Sequence, residues 1–421
     1  MLNILAFAAF DLWLLALPLE GCLLADTVRA GSLFYFLPPL ALALLAGGRY
    51  LTRERLAWIS RPSIALTLLL TLLCPWIPTW QPLLLVTLGV TAAPFLFKAF
   101  AQLKTGPRAL QDAAFGIILG NLLLWGIEVL PLAIPLRAAL VALPLMITLR
   151  QPLPDMAPRV RVPLHYLLLI LLYQSLGGLM YGSFLPTYVN NAYLPGAELL
   201  FYCLTVALGW ELARRRGPDL LYPCGVLLAL CAFTLLHGQT PFWENLGMYA
   251  LQGASGFIDF FSVALILADG DVVGRAGEIM GFTCLGLLGG ELISALAHRV
   301  PATILTVAHF ILPFSLLVLY FGGKHHHPAS ATPGLLLPAR SEPLIPEALD
   351  RILAPKERQV LEVVMTGKSF SETALLVGVS TSSVKTYMRR IYQKTATTSR
   401  EELLRWLAMQ LDDERRREPV A

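Results

Sequence analysis

The chain has 421 residues, of which 56% are hydrophobic and 14% charged, with a mean hydropathy of +0.65. Soluble chains carry about a quarter charged residues, so a single water-soluble globule and a disordered chain are both excluded. The polarity is uneven. Residues 1–323 hold 17 Lys/Arg and 16 Asp/Glu, whereas residues 324–421 hold 15 and 12. This pattern predicts a membrane body (1–323) and a soluble, slightly basic C-terminal unit (347–421), joined by a linker (324–346).

A bilayer core about 30 Å thick needs roughly 20 apolar residues per helix. Twelve such stretches follow one another near 4–25, 31–47, 57–77, 81–102, 110–129, 132–149, 163–183, 195–213, 219–238, 243–268, 276–298 and 301–322. The first carries Asp11 and Glu20 and has no basic leader or small-residue cleavage site, so it is expected to be a retained span.

Charge placement supports the count. With the N-terminus in the cytoplasm, the inner loops hold Arg49, Arg53, Arg55, Arg61, Lys98, Lys104, Arg108, Arg150, Arg159, Arg161, Arg214, Arg215, Arg216 and Arg275. The outer loops hold only Arg29, Arg137 and Arg299. Fourteen against three is a strong positive-inside bias, and an even number of spans brings the C-terminal unit to the cytoplasmic side. The expected location is the inner (cytoplasmic) membrane, with both termini inside.

Four acids, Asp11, Glu128, Asp259 and Glu291, fall within apolar stretches, where an unpaired charge is costly and faces a cavity or a partner. The six cysteines all lie in the apolar part, with no CxxC pair and no Cys/His spacing suited to zinc. No metal site and no cofactor are expected, and His325-His326-His327 reads as an incidental polar run. The linker is rich in Pro, Ala and Ser and predicts a flexible, partly extended connector, about 25–30 Å end to end on coil scaling.

The longest internal polar connection, Arg150 to Arg161, contains Pro152, Pro154 and Pro158 and separates six stretches from six. This layout resembles the major facilitator superfamily, built from two related six-helix halves. That superfamily carries a glycine–aspartate–arginine motif after its second helix and a relic after the eighth. Here those loops read Gly47-Gly48-Arg49-Tyr50 and Gly209-Trp210-Glu211, with arginines at 214–216 and the aspartate missing from both, a departure that argues against efficient transport. The resemblance implies a cavity lined by the first, fourth, seventh and tenth helices. It thereby assigns Asp11, Trp13, Tyr173, Gln174, Tyr181, Gln252 and Asp259 to a ligand pocket, with Tyr249 beside them. Aromatic faces with a few acids suit an amphipathic, cationic or phenolic small molecule.

In the soluble unit four helices are expected. The first starts at Pro355, a good first-turn residue. The second opens on the capping box Ser369-Phe370-Ser371-Glu372. The third, capped by Ser380, runs to about Lys394, and the fourth opens on Thr398-Ser399-Arg400-Glu401 and repeats Leu403, Leu404, Leu407 and Leu411. Two short helices joined at Gly378-Val379-Ser380 form a helix-turn-helix pattern. On the third helix Val384, Met388 and Ile391 face the core, and an acid-free basic face lies opposite. Ser382, Ser383, Lys385, Thr386, Tyr387, Arg389, Arg390 and Lys394 are therefore the candidate contacts to double-stranded DNA.

These residues resemble the LuxR-type (NarL/FixJ-like) DNA-binding domain. The match runs over about 353–407 and includes Leu353, Lys356-Glu357, Val360-Leu361, Gly367, Ser369, Glu372, Ala374, Val379-Ser380, Val384-Lys385, Ile391, Lys394, Ser399-Arg400 and Glu402-Leu403. The resemblance implies that the third helix reads DNA and the fourth supports a homodimer on two half-sites, with Lys385 touching DNA directly and Lys394 its backbone. Ala354 stands where a capping Thr is usual, a change costing about 1 kcal/mol. Tyr387 replaces a frequent His, and Thr395-Ala396 replaces Leu-Gly, so the third helix must end in a different turn.

The expected fold is all-α: a polytopic twelve-helix membrane domain in two six-helix halves plus a four-helix LuxR-type domain. The expected function is a membrane-bound one-component transcriptional regulator that senses a small molecule through its membrane body. A transporter with a regulatory DNA-binding tail is the alternative, and a helix-turn-helix unit that binds only protein is a further one. No nucleophile–base constellation or Gly-rich phosphate loop marks an enzyme.

Overall fold

The structure is a computed structural model. It describes residues 2–29, 31–150, 153–154, 159–238, 240–268, 270–297, 301–325, 349, 352–365, 370–397, 402–403, 406–407 and 410. The expected linker beyond His325, residues 151–152 and 155–158 of the Arg150–Arg161 connection, Ser369 with the side chains of Ser371 and Glu372, and the capping box 398–401 lie outside the described residues. The chain divides into two compact units, Met1–Tyr320 and Phe321–Ala421.

Every apolar stretch read from the sequence is helical, and no strand occurs among the described residues. Among the described residues nine helices are long and apolar enough to cross a bilayer: α1 (Leu2–Leu19), α2 (Ser32–Tyr50), α3 (Arg53–Trp76), α4 (Pro78–Lys104), α5 (Ala109–Val129), α7 (Leu164–Phe184), α9 (Pro218–Leu236), α10 (Pro241–Leu267) and α11 (Val272–Leu296). The sixth, α6 (Ile134–Leu149), is a shorter apolar helix. The eighth, α8 (Ala197–Arg216), is 20 residues long but carries Glu198, Glu211 and three terminal arginines, which lower its hydropathy. The twelfth, α12 (Pro301–His325), is 25 residues long.

The packing partners repeat with a shift of six helices. In the first half α1 lies along α5, and α4 lies along both α2 and α3; in the second, α7 lies along α11, and α10 along both α8 and α9. The halves meet through α2 with α11 and α5 with α8, which exchange under the same shift. Two related six-helix halves produce this pattern.

Both helices that open a half also widen into a π-helical turn at equivalent places, Leu15–Leu19 in α1 and Met180–Phe184 in α7. Each has a proline at hand, Pro18 inside the first and Pro186 just after the second. A proline removes one N–H from the helical ladder, and a π-turn re-routes the carbonyls left behind.

The soluble unit packs α13 (Pro355–Met365), α14 (Phe370–Val377) and α15 (Thr381–Thr395) around Val360, Leu361, Val364, Ala374, Val384, Met388 and Ile391. Of the expected fourth helix the described positions 402, 403, 406, 407 and 410 are helical, and Leu403 and Leu407 complete the core.

Candidate functional site

The recognition element is built from its turn. Helix α14 ends on Gly378, whose φ is +69°, and the Val379 N–H donates to Ala374 O at 2.9 Å. This is the six-to-one bond of a Schellman stop. A side chain at 378 would meet no neighbour, so the left-handed backbone alone calls for glycine. Two residues later the Ser380 hydroxyl accepts the Ser383 N–H at 3.1 Å and caps α15. Turn and cap together set the second helix on the first.

Helix α15 is sharply two-faced. Val384, Met388, Ile391 and Thr395 are buried, while Ser382, Lys385, Arg389, Arg390 and Lys394 are exposed. Ser383, Thr386 and Tyr387 lie at the margins, and Tyr387 packs against the core. No acid occurs along the helix. Lys394 is partly committed: its ammonium donates to Ile352 O at 2.8 Å and to Glu357 Oε2 at 2.5 Å.

The two departures noted in the sequence are resolved by local bonds. The Ala354 N–H donates to Glu357 Oε2 at 2.9 Å, so Glu357 caps the start of α13 without a hydroxyl at 354. Ala396 takes φ +52° at the end of α15, and the Thr397 N–H closes on Tyr392 O at 3.0 Å. The alanine thus adopts the left-handed conformation that glycine takes more readily.

The membrane unit holds a central cavity with about 160 Å³ accessible to water. Asp11, Gln174, Gln252 and Asp259 line it together. The Asp259 carboxylate accepts from Gln174 Nε2 at 2.9 Å and from the Tyr202 hydroxyl at 3.1 Å, while Asp11 Oδ2 accepts from Asn121 Nδ2 at 3.2 Å. Each acid therefore receives neutral donors from its own half, α5 in the first and α7 with α8 in the second.

Three expected residues are absent from the cavity wall: Trp13, Tyr173 and Tyr249, the last stacked on Phe201 with ring centroids 4.7 Å apart. Trp13 lies about 200° around the helix from Asp11. It is fully buried, donates its indole N–H to Thr71 Oγ1 at 2.8 Å and packs edge-on against Phe36. Tyr173 is also buried and is turned to Ser255, 3.5 Å from its hydroxyl. The side chain of Tyr181 lies outside the described residues. Tyr202, Asn121, Glu20 and Thr283 line the cavity and were not anticipated. Asn121 and Tyr202 are polar groups inside apolar runs, a signal available in the sequence, but they sit on the fifth and eighth helices. Glu128 and Glu291 are not on the wall.

The class defined by this geometry is a multi-pass membrane protein carrying a helix-turn-helix unit, and comparison with known proteins narrows both parts. Residues 351–407 match the family model of bacterial regulatory proteins of the luxR family, so the C-terminal unit is a LuxR-type DNA-binding domain. The remainder shares its fold with solved transporters. A bacterial homologue of the iron transporter ferroportin, in its outward-facing state with soaked iron, is 14% identical over 77% of this chain and 98% of that chain, with a TM-score of 0.51. The human organic anion transporter MFSD10 is 16% identical over 76% and 98%, with a TM-score of 0.56. The E. coli fucose:proton symporter FucP is 14% identical over 77% and 98%, with a TM-score of 0.52. No curated protein sequence matches the chain. The membrane unit therefore shares its fold with these solved transporters, and the chain's partners include DNA and a lipid bilayer.

Proposed function

We propose that the protein is a membrane-bound, one-component transcriptional regulator of the bacterial inner membrane, with both termini in the cytoplasm. A small molecule enters the cavity of the membrane unit, residues 1–323, and biases its conformation. The linker at 324–346 passes that bias to the domain at 347–421, which binds promoter DNA as a homodimer. A switch of this kind needs different ligand affinities in the two states, not merely tight binding.

The observation that carries this reading is the pairing of a luxR-family helix, acid-free and basic on its exposed face, with a cavity-bearing membrane unit in one chain. Genome-wide mapping of DNA bound by the intact protein, with and without candidate compounds, tests it: sites should be discrete and their occupancy should change with one compound class. Uniform occupancy that ignores every compound refutes it. A reporter fused to the C-terminus tests the topology, since activity on the outer side of the membrane overturns the arrangement.

The second reading, a transporter with a regulatory tail, is favoured by the transporter fold. It requires substrate accumulation in vesicles that Asp11→Asn or Asp259→Asn abolishes.

A further inference from the structure

The wall of the central cavity combines three carboxyl-bearing residues, Asp11, Glu20 and Asp259, with no Lys, Arg or His among the described lining residues. Asp11 and Asp259 come from opposite halves, on α1 and α10. Their hydrogen-bond donors are the amides of Asn121 and Gln174 and the phenol of Tyr202. These donors carry no positive charge, so Asp11 and Asp259 have no counter-ion among the described lining residues, whereas Glu20 feels the field of Arg29. In a low-dielectric interior that imbalance favours a cation strongly and opposes an anion equally strongly.

Two further polar groups are left for a guest. Gln252 is 8% exposed, lines the cavity and makes no side-chain hydrogen bond among the described residues. Thr283 Oγ1 is buried without a partner and belongs to the same wall. Buried polar groups are normally hydrogen-bonded, and a guest with a donor or acceptor away from its charge would satisfy them. Most of the rest of the wall is apolar and rich in leucine, with Phe7, Phe10, Phe36 and Phe100 contributing rings and Ser255 and Ser262 the remaining hydroxyls. A hard cation such as Ca2+ or Mg2+ takes six or more oxygen ligands, and a polyol would trade its hydration for too few donors.

We infer that the cavity takes an organic cation, a protonated amine on an apolar or aromatic body, held between Asp11 of one half and Asp259 of the other. This rests on the membrane unit acting as the sensor, and it names the ligand class that sensor accepts. The charge is shared between carboxyls of both halves, so a bound amine couples them and favours whichever state draws the two acids together.

The test uses the full-length protein in lipid nanodiscs and three probes of matched shape: 2-phenylethylamine, 2-phenylethanol and 3-phenylpropionate. Calorimetry should give saturable binding of the amine, tighter than either analogue by at least about tenfold. In the double variant Asp11→Asn/Asp259→Asn the amine should lose that advantage while 2-phenylethanol binding persists, which also reports an intact cavity. Asp26→Asn, at an exposed position outside the cavity, should leave the preference unchanged. Equal or tighter binding of the alcohol or the carboxylate, an unchanged preference in the double variant, or no saturable amine binding overturns the assignment. DNA affinity measured on the same nanodiscs separates this from the sensor reading. Amine binding without any change in DNA affinity refutes the sensor and keeps the cation site. A DNA response to 3-phenylpropionate alone keeps the sensor and refutes the cation site.

Discussion

The ammonium of Lys394 lies 2.5 Å from Oε2 of Glu357, fastening the last turn of α15 to the first turn of α13, 37 residues earlier in the chain. The Glu357 side chain is only 3% exposed, and the same oxygen accepts the Ala354 N–H. One carboxylate thus caps the start of α13 and holds the end of α15.

Removing the cation leaves that carboxylate buried and poorly compensated. Lys394→Met should destabilise the soluble unit by about 2–3 kcal/mol, below the figure for a fully buried pair because Lys394 is partly exposed. Hydrogen exchange of the amides in α13 and α15 of the full-length protein reads this directly. Burial pushes the Glu357 carboxyl up, but the Lys394 hydrogen bond, the Ala354 N–H and the fields of Lys394 and Arg390 outweigh it and hold it below its ordinary value of 4.5. The unfolded chain then binds more protons than the folded one. The pair's stabilisation is complete above about pH 4.5 and is lost as the pH falls through the folded value. Acid sensitivity of this kind should be absent from Lys394→Met.

Lys385 and Arg389 are exposed on the same face of α15 and hold no partner comparable to Glu357 among the described residues. Lys385→Ala or Arg389→Ala should weaken binding to a cognate promoter by about 1–3 kcal/mol each if they meet base edges. Neither should change the exchange protection of α13. Lys394→Met should instead lower affinity for every DNA and reduce the salt slope by about one. Fluorescence anisotropy across a salt series, on cognate and scrambled fragments, distinguishes the two behaviours.

The end of α15 offers a stabilising change. Ala396 sits at φ +52° in a region that costs an L-residue about 1 kcal/mol and costs glycine almost nothing. Its N–H still reaches Tyr392 O, so the turn itself is intact. Ala396→Gly should therefore raise the stability of the soluble unit by about 0.5–1 kcal/mol, less the extra freedom glycine gives the unfolded chain. The same exchange measurement should find slower opening at Ile391 and Thr395; faster opening would contradict the argument.

Much of this architecture is legible in the sequence because it rests on local rules. Apolar run length marked all twelve helices, and Gly378 with Ser380 marked the stop and start of the helix-turn-helix. The periodicity of Val384, Met388 and Ile391 separated the buried face of α15 from the basic one. Inside the membrane body the same logic fails. Lipid is as apolar as a protein core, so hydrophobic spacing does not tell an inward face from an outward one. Trp13 looked like a cavity residue because it is aromatic and close to Asp11, yet its partner Thr71 is 58 positions away. Tyr202 and Asn121 reach the cavity through the pairing of α8 with α5, a relation between halves that no local pattern encodes. The engagement of Lys394 by Glu357 is equally long-range.

The last prediction concerns how the membrane unit is closed. Helices α2 and α11 cross at Gly48 and Gly277, where a methyl group on Gly277 would lie 2.6 Å from Gly48 Cα and 2.6 Å from Leu44 O. Backbone meets backbone there, so no side chain can yield. At the same end the Lys104 ammonium, on α4, donates to Leu267 O, on α10, and the Val162 N–H donates to Glu278 Oε2 at 2.8 Å. The halves are thus drawn together at the end of the body that carries Gly48. Gly277→Leu must wedge them apart, shifting the unit toward a state open on that side. Cys284 lines the cavity and is 4% exposed, so it reports the opening once the other five cysteines are replaced by serine. Its reaction with a membrane-impermeant thiol reagent, applied from the side carrying Gly48, should accelerate by at least about tenfold in Gly277→Leu. Gly126→Leu, at a position where an added side chain meets nothing within 4 Å, should leave the rate unchanged. Equal rates in all three proteins would place the closure elsewhere than at this glycine crossing.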